Sequence, residues 1–391
     1  MHASRRIESV QSPIIPVIAD LIRRHPGTIS LGQGVVRYGP PPTVAAALAT
    51  FQADPLLHRY QPVAGVPALL EALRATLAAD SADPLADPAA RLMVTAGGNN
   101  AFYAALLAVV DPGDEVILPT PYYFNHEMAV TMADCRPVLV PTDANHQLDL
   151  AALRHAITPR TRVIVTVSPN NPTGAVYPER DLRAVNALCA EHGLLHFSDE
   201  AYCHFTYDGA RHFSCASIPG AVGHTVSLGS LSKSHGFASW RIGWMIFPAR
   251  LEGALRKIQD TLLICPPVIS QYAAMGALAA GPAWVRTQVD GIAAVRAPVQ
   301  AALAPLVRAG ICEVPPAEGA FYFLLRVPGT RTPSLELAER LIRDHRVAVI
   351  PGNAFGLEQG CYLRVAYAAL EPATVAEGIG RLSAGLQALN H

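Results

Sequence analysis

VIVTVSPNNPTGAVYPERDLRAVNALCAEHGLLHFSDEAY, residues 163–202, is the stretch on which the fold turns. Val163 to Val167 is a short β-branched run, Pro178 to Glu191 carries an amphipathic helical period, and Leu194 to Phe197 is a second apolar run. A strand, a helix and a strand at this spacing make a parallel crossover unit. The same alternation extends outward through Arg91 to Thr95, Glu115 to Leu118, Pro137 to Val140 and Thr225 to Leu228. It predicts an α/β fold with a mostly parallel central sheet sandwiched by helices.

After Asp260 the pattern changes to long Ala/Leu-rich helices, Ile269 to Ala280 and Pro282 to Arg308, followed by a strand at Phe321 to Arg326. A helix from Ser334 to Asp344, strands near Val347 to Ile350 and Tyr362 to Val365, and a final helix from Pro372 to Leu389 read as a smaller α+β C-terminal domain. The expected division is an N-terminal segment, 1–43, packing with the small domain, a large domain, 44–282, and the small domain, 283–391. Asp80 to Pro88 reads as a surface loop.

Composition narrows the class. The 391 residues carry a formal charge of −1, with 51% hydrophobic and 16% charged residues. A chain of this size buries roughly 75% of its unfolded surface, so a polybasic nucleic-acid binder and a disordered chain are both excluded. Seven scattered cysteines, never spaced Cys-x-x-Cys, suggest neither a disulfide framework nor a metal site and fit a reducing cytoplasm. Arg5, Arg6 and Glu8 stand where an export signal needs apolar residues. The uncharged run Thr261 to Val285 is long enough for a membrane test, but Pro266-Pro267 and Gly281-Pro282 interrupt it, so a buried helix pair and no membrane association are expected. Of the 30 basic residues only two are lysines, Lys233 and Lys257. Any chemistry that needs an amine has two candidates.

In an open α/β sheet, ligands bind beyond the carboxyl ends of the strands. Five successive strand ends here carry reactive groups. Gly97-Gly98-Asn99-Asn100 precedes a helix expected to begin near Ala101; its glycines either make the turn or let backbone N–H groups reach a phosphate. Tyr122-Tyr123-Phe124-Asn125-His126 offers an aromatic face. Asn170-Asn171-Pro172-Thr173-Gly174 offers amide donors at a turn. Asp199 leaves its strand with a phenol, Tyr202, three residues on; the acid either caps the next segment or meets a ligand cation. Ser230-Leu231-Ser232-Lys233 places one of the two lysines among hydroxyls, with Arg241 eight residues beyond. Each has an ordinary structural explanation alone, but together they describe a site for pyridoxal 5'-phosphate: an amine for the carbonyl, an acid for the pyridine nitrogen, a plate for the ring and a cup for the phosphate.

With these motifs quoted, the sequence resembles the class I/II aminotransferases, fold-type-I pyridoxal-phosphate enzymes, from about Ile29 to Ala368. Its most specific pieces are NNPTG, DEAY and SLSKSHGFASWRIGW. The resemblance implies that Lys233 forms the Schiff base and then moves the α-proton, and that Asp199 pairs with the pyridine nitrogen. It further implies that Tyr202 and Asn171 donate to the ring oxygen and that Tyr123 stacks on the ring. His126 would orient Asp199 from behind. Gly98, Asn99, Ser230 and Arg241 would hold the phosphate, while Tyr60, in the run Arg59-Tyr60-Gln61-Pro62, would reach the phosphate of a neighbouring subunit. A homodimer with shared sites is the implied assembly. Arg364, in Tyr362-Leu363-Arg364-Val365-Ala366, would bind the substrate α-carboxylate beside Gly34 and Asn171.

The sequence departs from the family pattern at Val35-Val36-Arg37-Tyr38, where Gly-x-Pro is usual after the first loop, and at Asn99-Asn100. Arg37 is either a reader of a second carboxylate or a structural residue. Two rivals fail on sequence: Ser230-x-x-Lys233 lacks the Lys-Thr-Gly partner of serine hydrolases, and no Gly-x-Gly-x-x-Gly follows the first strand. A silent ligand-binding or regulatory protein is disfavoured by the intact Lys233 and Arg364. Another reaction of the same cofactor remains the alternative: cysteine-conjugate β-elimination, cyclopropane formation or oxygen-dependent oxidation. The expected activity is a ping-pong exchange of an amino group between an L-amino acid and a 2-oxo acid. The runs LGQG and VTAGG resemble those of glutamine/kynurenine-type members of the family, and that resemblance implies a neutral donor, aromatic, methionine-like or glutamine-like.

Overall fold

The computed structural model describes residues 4–80 and 83–388. Its strands are, in chain order, Ile29–Ser30 (β1), Ala90–Thr95 (β2), Glu115–Thr120 (β3), Arg136–Pro141 (β4), Thr161–Val167 (β5), Leu195–Asp199 (β6), Thr225–Ser230 (β7), Gly243–Pro248 (β8), Tyr322–Arg326 (β9), Val347–Ala348 (β10), Ile350–Pro351 (β11) and Tyr362–Ala366 (β12). Seven of them form the central sheet in the order β2-β8-β7-β6-β5-β3-β4. β8 is antiparallel to both neighbours, whereas β3, β4, β5, β6 and β7 run parallel. The mostly parallel α/β architecture is therefore present.

Period-two alternation explains how the sheet is covered on both faces. Val163, Val165, Leu195, Phe197, Val226 and Leu228 meet one helical layer, which includes Phe102 and Val130. Ile164, between Val163 and Val165, points the other way, towards Leu182, Val185 and Leu188 of the helix Glu179–His192. That helix starts with Glu179 and Asp181 in its first turn, where negative charge complements the helix dipole. Fully buried side chains such as Phe197 contribute about 1.5–3 kcal/mol each through desolvation.

Several boundaries differ from the sequence expectations. The run Gly243–Pro248 is a strand that the alternation did not reveal, because its pairing is antiparallel and no helix separates it from β7 in the usual way. The expected strand near Val347 to Ile350 is two short strands in different sheets: β10 pairs with β1, β11 with β12. The helix expected near Ala101 begins at Gly98. The apolar run Thr261 to Val285 is divided among the helices Glu252–Leu263, Val268–Leu278 and Gly281–Arg308. Among the described residues no single helix is long and apolar enough to cross a membrane. Ser81, Ala82 and Leu389, within the expected loop and final helix, lie outside the described residues.

The second core joins distant parts of the chain. β11-β12-β9 is an antiparallel sheet, and its residues Phe323, Val365 and Leu363 pack with Leu341, Ile379 and Val299 from three helices. Leu31 and Tyr202 belong to the same cluster. Parallel pairing of Ile29 with Val347 fastens the N-terminal segment beside this sheet. The residues that follow, Gly32 to Gly34, are thereby led across the carboxyl ends of the central strands.

Candidate active site

A cavity of about 380 Å³ opens at those strand ends. Its lining brings together Gly34, Gly98, Asn99, Tyr123, Asn171, Asp199, Tyr202, Ser230, Lys233, Arg241 and Arg364. The strand-end rule thus gathers groups separated by more than 300 positions in sequence. Each element supplies its group as its backbone leaves the sheet.

At the floor, Asp199 closes β6. One carboxylate oxygen accepts the Ala201 N–H at 3.0 Å, and the other lies 3.1 Å from His126 Nε2. The acid therefore both caps its turn and faces the cavity. His126 is buried, stacked on Phe102 with ring centroids 4.0 Å apart, so its orientation is fixed by packing.

The cup is built from three elements. Gly97 precedes the helix Gly98–Leu107 with φ 83°, and no side chain caps that helix. A Cβ at Gly97 would stand 2.2 Å from the Arg241 guanidinium, so glycine is required for the arginine to lie across the turn. The first N–H groups of the helix, with Ser230 and Arg241, present donors to an anion. Ser230 Oγ donates to Ser232 Oγ at 2.9 Å and accepts from the Ser232 N–H.

Lys233 is half-buried and its Nζ donates to the Gly34 carbonyl at 2.5 Å. Burial, then the positive fields of Arg364 and Arg241, push its ammonium down to about 8, against a weaker opposite pull from Asp199. A neutral amine is accordingly accessible near neutral pH. Arg364 lies between the Tyr322 and Phe355 rings, 4.6 and 5.1 Å from their centroids. It donates to Asn171 Oδ1 at 2.8 Å and to the Gly32 carbonyl at 2.7 Å, while its buried Nε has no partner. Asn171 Nδ2 donates to Tyr202 Oη at 3.5 Å.

Two expected residues lie elsewhere. Tyr60 is 77% exposed and outside the cavity, in a groove shared with Phe51, Leu263 and Ile269. Arg37 does not line the cavity either; its guanidinium donates to the Gly291 carbonyl at 3.4 Å and its N–H to Ala368 O, a structural placement. Sequence reasoning passed over Tyr322, Pro13 and Ile15, and gave no separate role to Gln33, Phe124 and Asn125 within the motifs it quoted, although all six line the cavity. Tyr322 had a signal. In the antiparallel β9–β12 pair, Leu324 faces Arg364 and Tyr322 faces Ala366, so alternation puts Tyr322 on the arginine's face.

An unpaired buried guanidinium N–H, a lysine shifted towards its neutral form, an acid held by a histidine and a glycine-lined anion cup are the donor set that pyridoxal phosphate and an amino acid require. Fold and cavity together define the fold-type-I class of pyridoxal-phosphate enzymes. The chain belongs to the class I and II aminotransferases, whose description it matches over residues 26–382. It is 33% identical to an aromatic aminotransferase of Arabidopsis thaliana, covering 99% of this chain and 97% of that one. It is also 33% identical to an aspartate aminotransferase of Pyrococcus abyssi, covering 94% of each. Among solved structures, N-succinyldiaminopimelate aminotransferase from Mycobacterium tuberculosis superposes with a TM-score of 0.89 at 30% identity, covering 98% of this chain and all of the other. Members of the family depend on pyridoxal phosphate, and the protein is an aminotransferase acting on amino acids and 2-oxo acids.

Proposed function

We propose that the amino donor carries a neutral side chain, aromatic, methionine-like or glutamine-like, and that the exchange is ping-pong. The observation carrying this is the charge inventory of the cavity. Its cations are Lys233, Arg241 and Arg364, each already engaged by the cofactor or the α-carboxylate in this reading, and the remaining wall includes Pro13, Ile15, Phe124, Gln33 and Asn125. Among the described residues, no further cation on that wall matches a second carboxylate. Apolar contacts and two amides suit a ring, a thioether or an amide.

Bound pyridoxal phosphate supplies a ring that draws electrons from the substrate α-carbon. The chain does the rest. Arg364 fixes the α-carboxylate and so the direction of the Cα–H bond. Lys233 Nζ takes that proton and returns it on the other side of the exchange. Asp199, steadied by His126 Nε2 at 3.1 Å, would face the pyridine nitrogen. Tyr202 and Asn171 would donate to the ring oxygen, Tyr123 would cover the ring, and Gly98, Asn99, Ser230 and Arg241 would hold the phosphate.

The proposed assembly is a cytoplasmic homodimer in which Tyr60 reaches the partner's phosphate. Exposed Leu56, Tyr60, Leu262, Ile264 and Ile269, large apolar side chains close to one groove, support a covered face there. The proposed division into 1–43, 44–282 and 283–391 accompanies this reading.

Mixing the yellow holoenzyme with single amino acids tests the donor class. Neutral donors are expected to bleach the visible absorbance to the amine form at least tenfold faster than aspartate or glutamate. Faster bleaching by an acidic donor overturns the proposal. Ammonia and 2-oxo acid release without an acceptor requirement would assign the elimination chemistry instead.

A further inference from the structure

Two buried phenols face each other inside the cavity, Tyr202 Oη 2.7 Å from Tyr322 Oη. Only one proton fits between them. A phenol oxygen has one proton to give and two lone pairs to receive. Asn171 Nδ2 already donates to Tyr202 Oη. What Tyr322 does with its own proton therefore decides where the Tyr202 proton points.

The surroundings of Tyr322 favour donation. The Arg364 guanidinium lies over its ring, 4.6 Å from the centroid, and a cation on a phenol face draws electron density from the oxygen. Burial pushes Tyr322 up to about 12, with Arg364 the leading influence in the opposite direction. For Tyr202 burial and the neighbouring Tyr322 both push upward and Arg364 is the least of the influences. With a guanidinium 4.6 Å from its ring centroid, against 6.0 Å for Lys233 Nζ over Tyr202, Tyr322 is the stronger donor of the pair. The N-terminal segment passes close by: a Cβ at Gly34 would stand 2.8 Å from Tyr322 Oη.

We infer that Tyr322 is a positioning residue: it donates to Tyr202, fills that oxygen's second lone pair, and so directs the Tyr202 proton outward to the ring oxygen of bound cofactor. The inference rests on the cofactor reading given above and adds a residue to it. Gly34 follows as the glycine that leaves space for this hydroxyl. Tyr202 would supply the contact, and Tyr322 its direction.

A directed donor stabilises negative charge on the ring oxygen and lowers the pH at which the bound cofactor changes colour. The test is a visible-absorbance pH titration of holoenzyme. Tyr322→Phe keeps the ring beneath Arg364 and removes only the hydroxyl; its midpoint should rise by about 0.4–1 pH unit, the scale of one neutral hydrogen bond. Tyr202→Phe should raise the midpoint at least as far, and the double variant should match Tyr202→Phe alone, because Tyr322 acts only through Tyr202. In turnover, Tyr322→Phe should lower kcat while the amino-acid KM stays within about twofold, since Arg364 is retained.

An unmoved or lowered midpoint, or additive shifts in the double variant, overturns the inference. If Tyr322→Phe does not load cofactor, Tyr322→Leu carries the same expectation and the same refutation. Failure of the cofactor reading looks different: Tyr202→Phe itself would leave the titration unchanged, or the wild-type protein would acquire no visible band with pyridoxal phosphate.

Discussion

Replacing Arg364 by lysine probes the substrate reading where the geometry is most specific. A guanidinium has five N–H groups. Asn171 Oδ1 and the Gly32 carbonyl each take one, and the Nε–H is buried without a partner. The remaining donors can meet both oxygens of a carboxylate, each charged hydrogen bond contributing roughly 1.5–3 kcal/mol. An ammonium keeps the positive charge but not the fork. The loss is then about one such bond, roughly 10- to 150-fold in amino-acid affinity. Titrating holoenzyme with one amino acid and following the visible band gives the apparent Kd directly. The band before amino acid is added should be retained, because Arg364 lies at the carboxylate end of the cavity and not in the phosphate cup. An unchanged Kd refutes the reasoning, as does an equal loss of affinity for a matched amine that lacks the carboxylate.

Two further outcomes are expected. Borohydride reduction followed by peptide mapping should find the cofactor on Lys233, lost in Lys233→Ala and kept in Lys257→Ala; in apoenzyme, the rate of covalent capture should climb with pH and level off above about 8, following the lowered amine, instead of rising to the ordinary 10.5. Far from the site, Glu115 opens β3 with its carboxylate fully buried; burial pulls it up, but hydrogen bonds from Arg136, Thr158 and Arg160 outweigh that and bring it down to about 2. Because the folded value lies below the unfolded one, this stabilisation is complete above the ordinary value of 4.5 and fades as pH falls towards 2. Glu115→Gln should therefore cost about 1–3 kcal/mol at neutral pH in denaturant unfolding, with the gap to wild type closing below pH 4.5; a gap independent of pH would show that charge is not the cause.

Sequence reading reached most of the site because chemistry and position coincide at strand ends. Asp199, Lys233 and Asn171 each follow a short apolar run, and a parallel sheet brings such ends to one rim whatever the order of its strands. His126 was legible through the motif resemblance, although only packing against Phe102 explains its fixed ring. Tyr60 illustrates a different limit: it is exposed, and the role proposed for it depends on a surface outside the chain.

By itself, the sequence determined the alternating β/α architecture, narrowed an amine to two lysines and pointed to the cofactor that suits the strand-end groups, since periodicity and side-chain chemistry are local properties. Tertiary structure alone decided that β8 enters the sheet between β2 and β7, and that Val347 and Ile350 belong to different sheets. It alone placed Tyr322 between Arg364 and Tyr202, and kept Arg37 out of the cavity. Those contacts join segments remote along the chain, and their geometry comes from strand register and close packing, which no local pattern encodes.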